Sequence, residues 1–382
     1  MSKHSNLLFL ATENLLRHRT KTVVVCLCIV AILTPFITAI AISEGIREQS
    51  LTSVKAGADL YLTFDEFGRN AAIPLKYLDE IKNIFGVTKV VPRIIGRGFL
   101  QNKLAVIVGL NKKDIPESVT CISGRVFESP NEVVVGYELA KHFHLKIGDQ
   151  FSMRCQQRKT CTVVGFFSSD SGIWGSSMIL MSFQDAGELF GKQDIATDMQ
   201  IYTLPGHNSE IATDLYDMLQ NEPYRLQDKH MIELYVKKGF MLKEGIFSAL
   251  YIVAFALGVP AILVASGFGL SERKKEIGIM KATGWQTLEV LELISFEQLL
   301  ISLLGATIAV VSSILWIKGF NGAFVAQFFI AEITMLPKFT LPARFLPLPC
   351  LLSFLFAFLL TMVGSVYSSW RASTVSPVVS MK

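Results

Sequence analysis

Residues 271–285, "SERKKEIGIMKATGW", set a charged, helix-like knob between two apolar runs. Ser271 closes a stretch free of Asp, Glu, Lys and Arg that begins at Gly245, and a second such stretch covers Gln298–Ile317. A helix needs about 20 mostly apolar residues to cross about 30 Å of hydrocarbon at about 1.5 Å per residue. Applied to the rest of the chain, the same test finds Thr22–Ser43 and Phe345–Trp370. Four runs of this kind predict a membrane α-helical protein with four transmembrane helices. Pro35, Gly258, Pro260, Gly305, Pro347 and Pro349 inside them are tolerable, because neighbouring helices satisfy freed backbone groups. Thr22–Ser43 is longer than a signal-peptide core and follows a basic segment, so it reads as an uncleaved span.

Composition agrees. Of 382 residues, 51% are hydrophobic and only 18% charged, which is too apolar for an ordinary soluble domain. The net charge of +4, with no basic run interleaved with aromatics, gives no reason to expect a nucleic-acid partner. Lys3, Arg17, Arg19 and Lys21 precede the first span, Arg273, Lys274, Lys275 and Lys281 lie between spans 2 and 3, and Arg371 and Lys382 follow the last. Cytoplasmic flanks carry the excess of Lys and Arg, so both termini and the knob are expected in the cytoplasm. Lys318, Lys338 and Arg344 make the 318–344 loop mildly basic as well.

The layout expected is therefore an amphipathic cytoplasmic N-terminal helix (1–21), span 1 (22–43), a large mixed α/β extracytoplasmic domain (44–244) and span 2 (245–271). A cytoplasmic segment (272–288), span 3 (289–317), an external loop (318–344), span 4 (345–370) and a cytoplasmic tail (371–382) follow. "LLFLATENLL" (7–16) has apolar positions at helical spacing and predicts a helix lying on the inner membrane surface. In the external domain, strands are expected at 58–64, 103–110, 176–182 and 198–204, and helices at 74–84, 184–191 and 208–220. The stretch 131–167 reads as strand, helix, a "KIGD" turn and two strands around a polar loop. After Pro223 the pattern turns helical through 228–245 and into span 2.

Of the six cysteines, Cys155 and Cys161 flank "QQRKT" between two strand-like runs, so a disulfide across the hairpin is expected, with two free thiols as the alternative. Cys26 and Cys28 alternate on a helix and do not converge on a metal. His142 and His144 diverge in the same way and read as a solvated face. "GRGF" (96–99) and "SGIWGS" (171–176) read as turns, since neither has phosphate-loop spacing. The sequence contains no G-x-x-x-x-G-K-[ST], H-E-x-x-H or G-x-S-x-G motif. The charge-free spans offer no proton relay or charged pore.

The knob has two halves. The four basic residues Arg273, Lys274, Lys275 and Lys281 would suffice as a positive-inside membrane anchor. Ile277, Met280 and Trp285, with Gly278 and Gly284 beside them, form an apolar half that reads as a docking surface for a cytosolic protein. "ERKKEIGIMKATGW" resembles the coupling segment of FtsX-like/MacB-like ABC transporter permeases, where E/R-R-x-x-E-I-x-x-x-K/R-A-x-G recurs. "ATENLLRHRTKT", "NEVVVGYELAKHFHLKIGDQF…CTVVGFF" and "WRASTVSPVVSMK" are similar to that family's N-terminal helix, MacB-like periplasmic core and C-terminal ending. The likeness runs over nearly the whole chain. It lacks the fused ATPase of MacB and so looks closer to stand-alone, lipoprotein-releasing-type permeases.

The resemblance implies that this chain is no enzyme. It implies a separate cytoplasmic ABC ATPase, which would bind ATP and Mg, and a second permease, identical or paralogous. A periplasmic adaptor or carrier and membrane lipid are further implied partners, in a bacterial inner membrane. Glu272, Arg273, Glu276, Ile277, Lys281, Ala282 and Gly284 would contact or shape the ATPase groove, with Lys274, Lys275, Met280 and Trp285 in the same segment. The implied activity is mechanotransmission that exports or extracts a hydrophobic or amphipathic cargo. The alternative is ATP-driven signalling to a periplasmic partner such as a cell-wall hydrolase.

Overall fold

The structure, a computed structural model, describes residues 3–100, 103–169, 178–267, 270–326 and 341–374. It divides into a helical unit (1–44, 242–329 and 343–382) and an external unit (45–241 and 330–342).

The helical unit begins with α1 (Lys3–Arg17) and α2 (Arg19–Ala56), separated by a turn at His18. Its other helices are α7 (Lys229–Gly267), α8 (Leu270–Ala282), α9 (Thr287–Phe320) and α10 (Pro347–Thr374). Among the described residues, α2 and α9 are long and apolar enough to cross a membrane, while α7 and α10 contribute shorter apolar stretches at 252–262 and 347–363. Val25, Ile29, Leu33 and Ile37 recur every four residues and form one buried row of α2. They pack on Ile301, Ala306 and Ala309 of α9 and Ala357 of α10. Small residues let the helices approach closely. Ile29 lies against Gly305, where even a Cβ would be tightly crowded. Thr38 and Ser313 share a buried hydrogen bond of 2.8 Å, and the Ser313 hydroxyl donates to the Thr34 carbonyl at 2.9 Å. Polar groups in this interface are thereby satisfied between the helices rather than left bare.

The external unit is built on a sheet of 11 strands. Its elements in chain order are β1 (Leu60–Glu66), β2 (Arg69–Ala71), β3 (Ile73–Pro74), α3 (Leu78–Lys82), β4 (Val87–Leu100), β5 (Lys103–Leu110), β6 (Val119–Gly124) and β7 (Glu132–Gly136). There follow α4 (Tyr137–Phe143), β8 (Gln150–Arg154), β9 (Arg158–Ser169), β10 (Met178–Ser182), α5 (Phe183–Leu189), β11 (Ile195–Ala196), β12 (Asp198–Thr203), α6 (Asn208–Leu219) and β13 (Tyr224–Asp228). The order across the sheet is β13-β1-β12-β4-β5-β10-β7-β9-β6.

The long β4 joins two cores. Its first half pairs β12 and its second half β5. Around β1 and β12, Leu60, Leu62 and Ile201 pack with Ile211 and Leu215 of α6. From β5 through β10 to β7 the sheet is buried on both faces. Ile107, Val133, Val135, Ile179 and Met181 face one core, and Val108, Val134 and Leu180 face the other. That split is the period-two alternation of strand side chains.

Most expected elements are present, with four differences. First, "GRGF" is not a turn but part of β4. Gly96 and Gly98 admit the Phe190 ring and the Cys155 and Ile107 side chains, which a Cβ would collide with. Second, Tyr224–Asp228 forms β13 before α7 begins, paired with β1 from Leu60↔Asp228 to Phe64↔Tyr224. Third, Cys155 and Cys161 do not face each other. The β8–β9 register sets Phe151 opposite Cys161 and leaves Cys155 in the turn, and both thiols are free. Burial pushes each thiol up to about 11, so neither is a thiolate at neutral pH. Fourth, α4 ends at Phe143 and His144 takes a left-handed cap, φ 53°. "SGIWGS" lies outside the described residues.

One surface cluster makes the external unit acid-sensitive. Arg125 donates to both Glu132 oxygens at 2.7 and 2.5 Å, and the Glu128 and Ser129 amides donate to Glu132 at 2.8 and 3.1 Å. The Arg125 hydrogen bonds, against some opposition from burial and with help from the two amides, lower the Glu132 carboxyl to about 2. An unfolded Glu titrates near about 4.3, so the folded state favours the charged form. This stabilisation is complete above that value and is lost as pH falls towards 2. Thermal unfolding followed from pH 6 to 2 should show a fall in that window, flattened in Glu132→Gln.

Candidate functional site: the turn between α8 and α9

The end of α8 is set by "KATGW". Gly284 is left-handed, φ 98°. Its N–H donates to the Lys281 carbonyl at 3.1 Å, and the Trp285 N–H reaches the Met280 carbonyl at 3.0 Å. These are the two bonds of a Schellman cap, which favours glycine at the left-handed position and an apolar contact from the residue after it. Trp285 supplies that contact, packing in the same cluster as Met280. One residue later α9 opens with a capping box. The Gln286 N–H donates to Glu289 at 2.9 Å, and the Gln286 side chain answers the Glu289 amide. Gly284→Ala is expected to cost about 1 kcal/mol through its left-handed backbone. Faster trypsin cleavage at Lys281, compared with wild type in membranes, would register it.

The apolar half of the knob points inward, which corrects the expectation of an open docking surface. Ile277, 2% exposed, is buried with Val290 and Ile294 of α9, while Met280 and Trp285 pack beside them. Gly278 is buried too. The second wall is α1. Leu7 and Ala11 pack on Leu293, next to Met280 and Trp285. The N-terminal helix therefore spends one apolar face on α9, although Leu8, Phe9 and Leu16 remain exposed.

Polar contacts fasten the same three helices. His4 Nδ1 lies 2.5 Å from Glu292, Asn14 donates to Glu297 at 2.7 Å, and His18 Nε2 lies 3.2 Å from Glu276, with Arg17 at 3.8 Å. Glu297 is only 6% exposed. It lies within the 289–317 range expected for span 3, so the described helix carries a buried carboxylate that the charge-free stretch from Gln298 stopped short of. Sequence reasoning missed these partners. The usable signal was the Leu7–Ala11 spacing together with Asn14 and His18 on one helix.

What the turn leaves to solvent is a different set of residues. Lys275, Ile279, Ala282, Thr283, Gly284, Gln286 and Leu288 are exposed, with Ile279 at 56% and Leu288 at 75%. Lys275, Ile279 and Ala282 or Thr283 recur at the i, i+4, i+7 or i+8 spacing of one helix face. Glu276 and Lys281 are half-buried beside it. The side chains of Glu272, Arg273 and Lys274 lie outside the described set, as do residues 375–382 of the C-terminal ending.

Two family models match the chain. The FtsX-like permease C-terminal model covers residues 248–377, which include the turn, and the MacB-like periplasmic core domain model covers residues 22–214. The chain belongs to the FtsX-like/MacB-like ABC transporter permease family. An uncharacterised ABC transporter permease of Methanocaldococcus jannaschii is 21% identical over 342 residues, 82% of this chain and 84% of that protein. The periplasmic region of MacB from Actinobacillus actinomycetemcomitans is similar at 14% identity and a TM-score of 0.39, over 49% of this chain and 97% of that one. The extracellular domain of YknZ, a noncanonic ABC-type transporter from Gram-positive bacteria, gives 16%, 0.35, 45% and 99%. A permease of this family serves as the membrane subunit of an ABC transporter and implies a partner ATPase.

Proposed function

We propose that this permease receives the stroke of a separate cytoplasmic ATPase at the α8–α9 turn and transmits it outward to export or extract a hydrophobic or amphipathic cargo. The observation that carries the reading is the build of the turn. It has its own buried core of Ile277, Val290 and Ile294, and it presents an outer stripe of Lys275, Ile279 and Thr283. A lever needs a stiff inside and a free outside. In this reading α2, α7, α9 and α10 each cross the membrane, with both termini cytoplasmic. α7 is continuous from Lys229, just after β13, to Gly267, just before α8. A displacement at its inner end thus has a hydrogen-bonded route to the sheet. A second permease completes the pair, and cargo leaves without needing a charged channel through the helices.

The test is co-purification from native membranes of the tagged chain, wild type against Lys275→Glu with Ile279→Glu. Both positions are exposed, so the variant should keep the wild-type thermal transition. Recovery of an ATP-hydrolysing subunit with wild type, and at least about tenfold less with the variant, supports the reading; two reversed or newly buried charges at an interface core cost on that order. Equal recovery would place the ATPase elsewhere. No ATPase in either sample would leave the turn as a membrane anchor.

A further inference from the structure

We propose that a cleft beside the first half of β4 binds a phosphate group. β5 ceases to pair with β4 at Ile94↔Gly109, and from Val87 to Arg93 β4 pairs only with β12 among the described residues. The chain leaves β5 through a tight turn at Lys112–Asp114, where the Asp114 N–H donates to the Asn111 carbonyl at 2.9 Å. Beside the bare edge of β4 remains a cleft of about 390 Å³, lined also by Leu78 and Lys82 of α3.

The lining sets three lysines, Lys82, Lys89 and Lys113, against one carboxylate, Asp114. That carboxylate is already spent. Its side chain is 4% exposed, with Lys89 Nζ 3.0 Å from one oxygen and the Asn111 side-chain amide donating to the other at 3.2 Å. Lys89 also donates to the Lys113 carbonyl at 3.4 Å, which leaves one of its three ammonium hydrogens. Lys113 is exposed and makes no ion pair among the described residues. Lys82 pairs with Asp79 at 3.0 Å, but Asp79 is 87% exposed, and a pair standing in water holds its lysine weakly. The backbone adds a donor. Ile201 of β12 turns its carbonyl to the Asp59 N–H, on the β1 side. Val90, opposite Ile201, therefore faces away from β12 and directs its N–H into the cleft. Two loosely held ammonium groups and an amide suit a phosphate, which brings about two negative charges and three acceptor oxygens. A carboxylate brings one charge and two oxygens in one plane. The phosphate belongs to a lipid head group or is free phosphate. The site does not depend on where an ATPase docks.

The test is lysine acetylation of the full chain, purified in dodecyl maltoside and read residue by residue by mass spectrometry. The probes are inorganic phosphate, octyl phosphate and octyl glucoside, with sodium chloride matching the ionic strength. By mass action, a saturating phosphate probe should slow acetylation of Lys113 and Lys82 at least about threefold. Lys141 and Lys146, exposed on the same unit but outside the cleft, should not change. Octyl phosphate acting at a lower concentration than inorganic phosphate assigns the site to a lipid head group, and equal concentrations assign it to free phosphate. Lys113→Gln should raise the concentration that half-protects Lys82 about tenfold, the loss of one charge-assisted hydrogen bond. Its thermal transition should match wild type, since Lys113 is exposed. Lysines beside a bare strand edge also serve to repel other strands, and lysines with that role alone would bind nothing. The inference falls if Lys113 and Lys82 are protected no more than Lys141 and Lys146, if octyl glucoside protects them equally, or if Lys113→Gln leaves the protection of Lys82 unchanged.

Discussion

Asp185→Ala is expected to cost the external unit about 3 kcal/mol, the usual penalty for breaking one partner out of a buried ion pair. The side chain is 4% exposed and collects bonds from three parts of the fold. Lys159 of β9 donates at 2.7 Å, the Asn131 amide ahead of β7 donates at 3.0 Å, and the Ser182 hydroxyl donates at 2.6 Å. In return Ser182 caps α5 by accepting the Asp185 amide at 3.0 Å. Without the carboxylate, the Asn131 amide has lost its acceptor and Lys159, 13% exposed, keeps only Glu188. An unsatisfied buried donor carries its full desolvation cost. The unfolding transition of the external unit should fall by about 6–12 °C in detergent. Glu188→Gln, at a half-exposed position, should move it by no more than about 1 kcal/mol. Equal shifts for the two variants would show that Asp185 is not the centre of this network.

Ile277→Asp should dismantle the α8–α9 turn rather than merely weaken a contact on it. Ile277 is enclosed by Val290, Ile294, Met280 and Trp285. A carboxylate there would be buried without a cationic partner, a penalty of about 3–5 kcal/mol. Trypsin should then cut at Lys275 and Lys281, and ATPase co-purification should be lost together with the protease resistance. Ile277→Val removes one methylene, costs about 1 kcal/mol and should retain both. Lys275→Glu with Ile279→Glu should lose the ATPase and keep the protease resistance. An Ile277→Asp chain that remains resistant and loses only the ATPase would return Ile277 to the outer surface.

These contrasts show what the residues alone could and could not say. β5 and the β7–α4–β8–β9 run were legible because Val and Ile alternate there between faces and "KIGD" marks the turn. β4 was obscured by Gly96 and Gly98, which read as a turn until the Phe190 ring and the Cys155 side chain occupy the space beside them. The apolar side of α8 was recognised as a packing face, but its partner was misassigned. Helical periodicity says that a face must be covered and not what covers it. α1 and the start of α9 do so, through Leu7, Ala11 and Leu293. The cysteine pairing failed on register. With Phe151 opposite Cys161, Cys155 sits in the turn, and the exact turn length cannot be read from "QQRKT".

The pairing of β1 with β13 also sets a timetable for synthesis. The Gly57 carbonyl accepts from Lys229 across 172 residues of chain, and between them lies nearly the whole external unit. At about 5–20 residues per second, a ribosome needs about ten to thirty seconds to deliver the second partner after the first has emerged. For that interval β1 is an orphan edge. The long loop is closed first by β12, which pairs β1 from Leu60↔Ile201 to Leu62↔Met199, and β13 then seals the remaining edge of β1, so both pairings come late in synthesis. A nascent chain halted before Asp228 should therefore be held by chaperones, while one extended just beyond it is released folded.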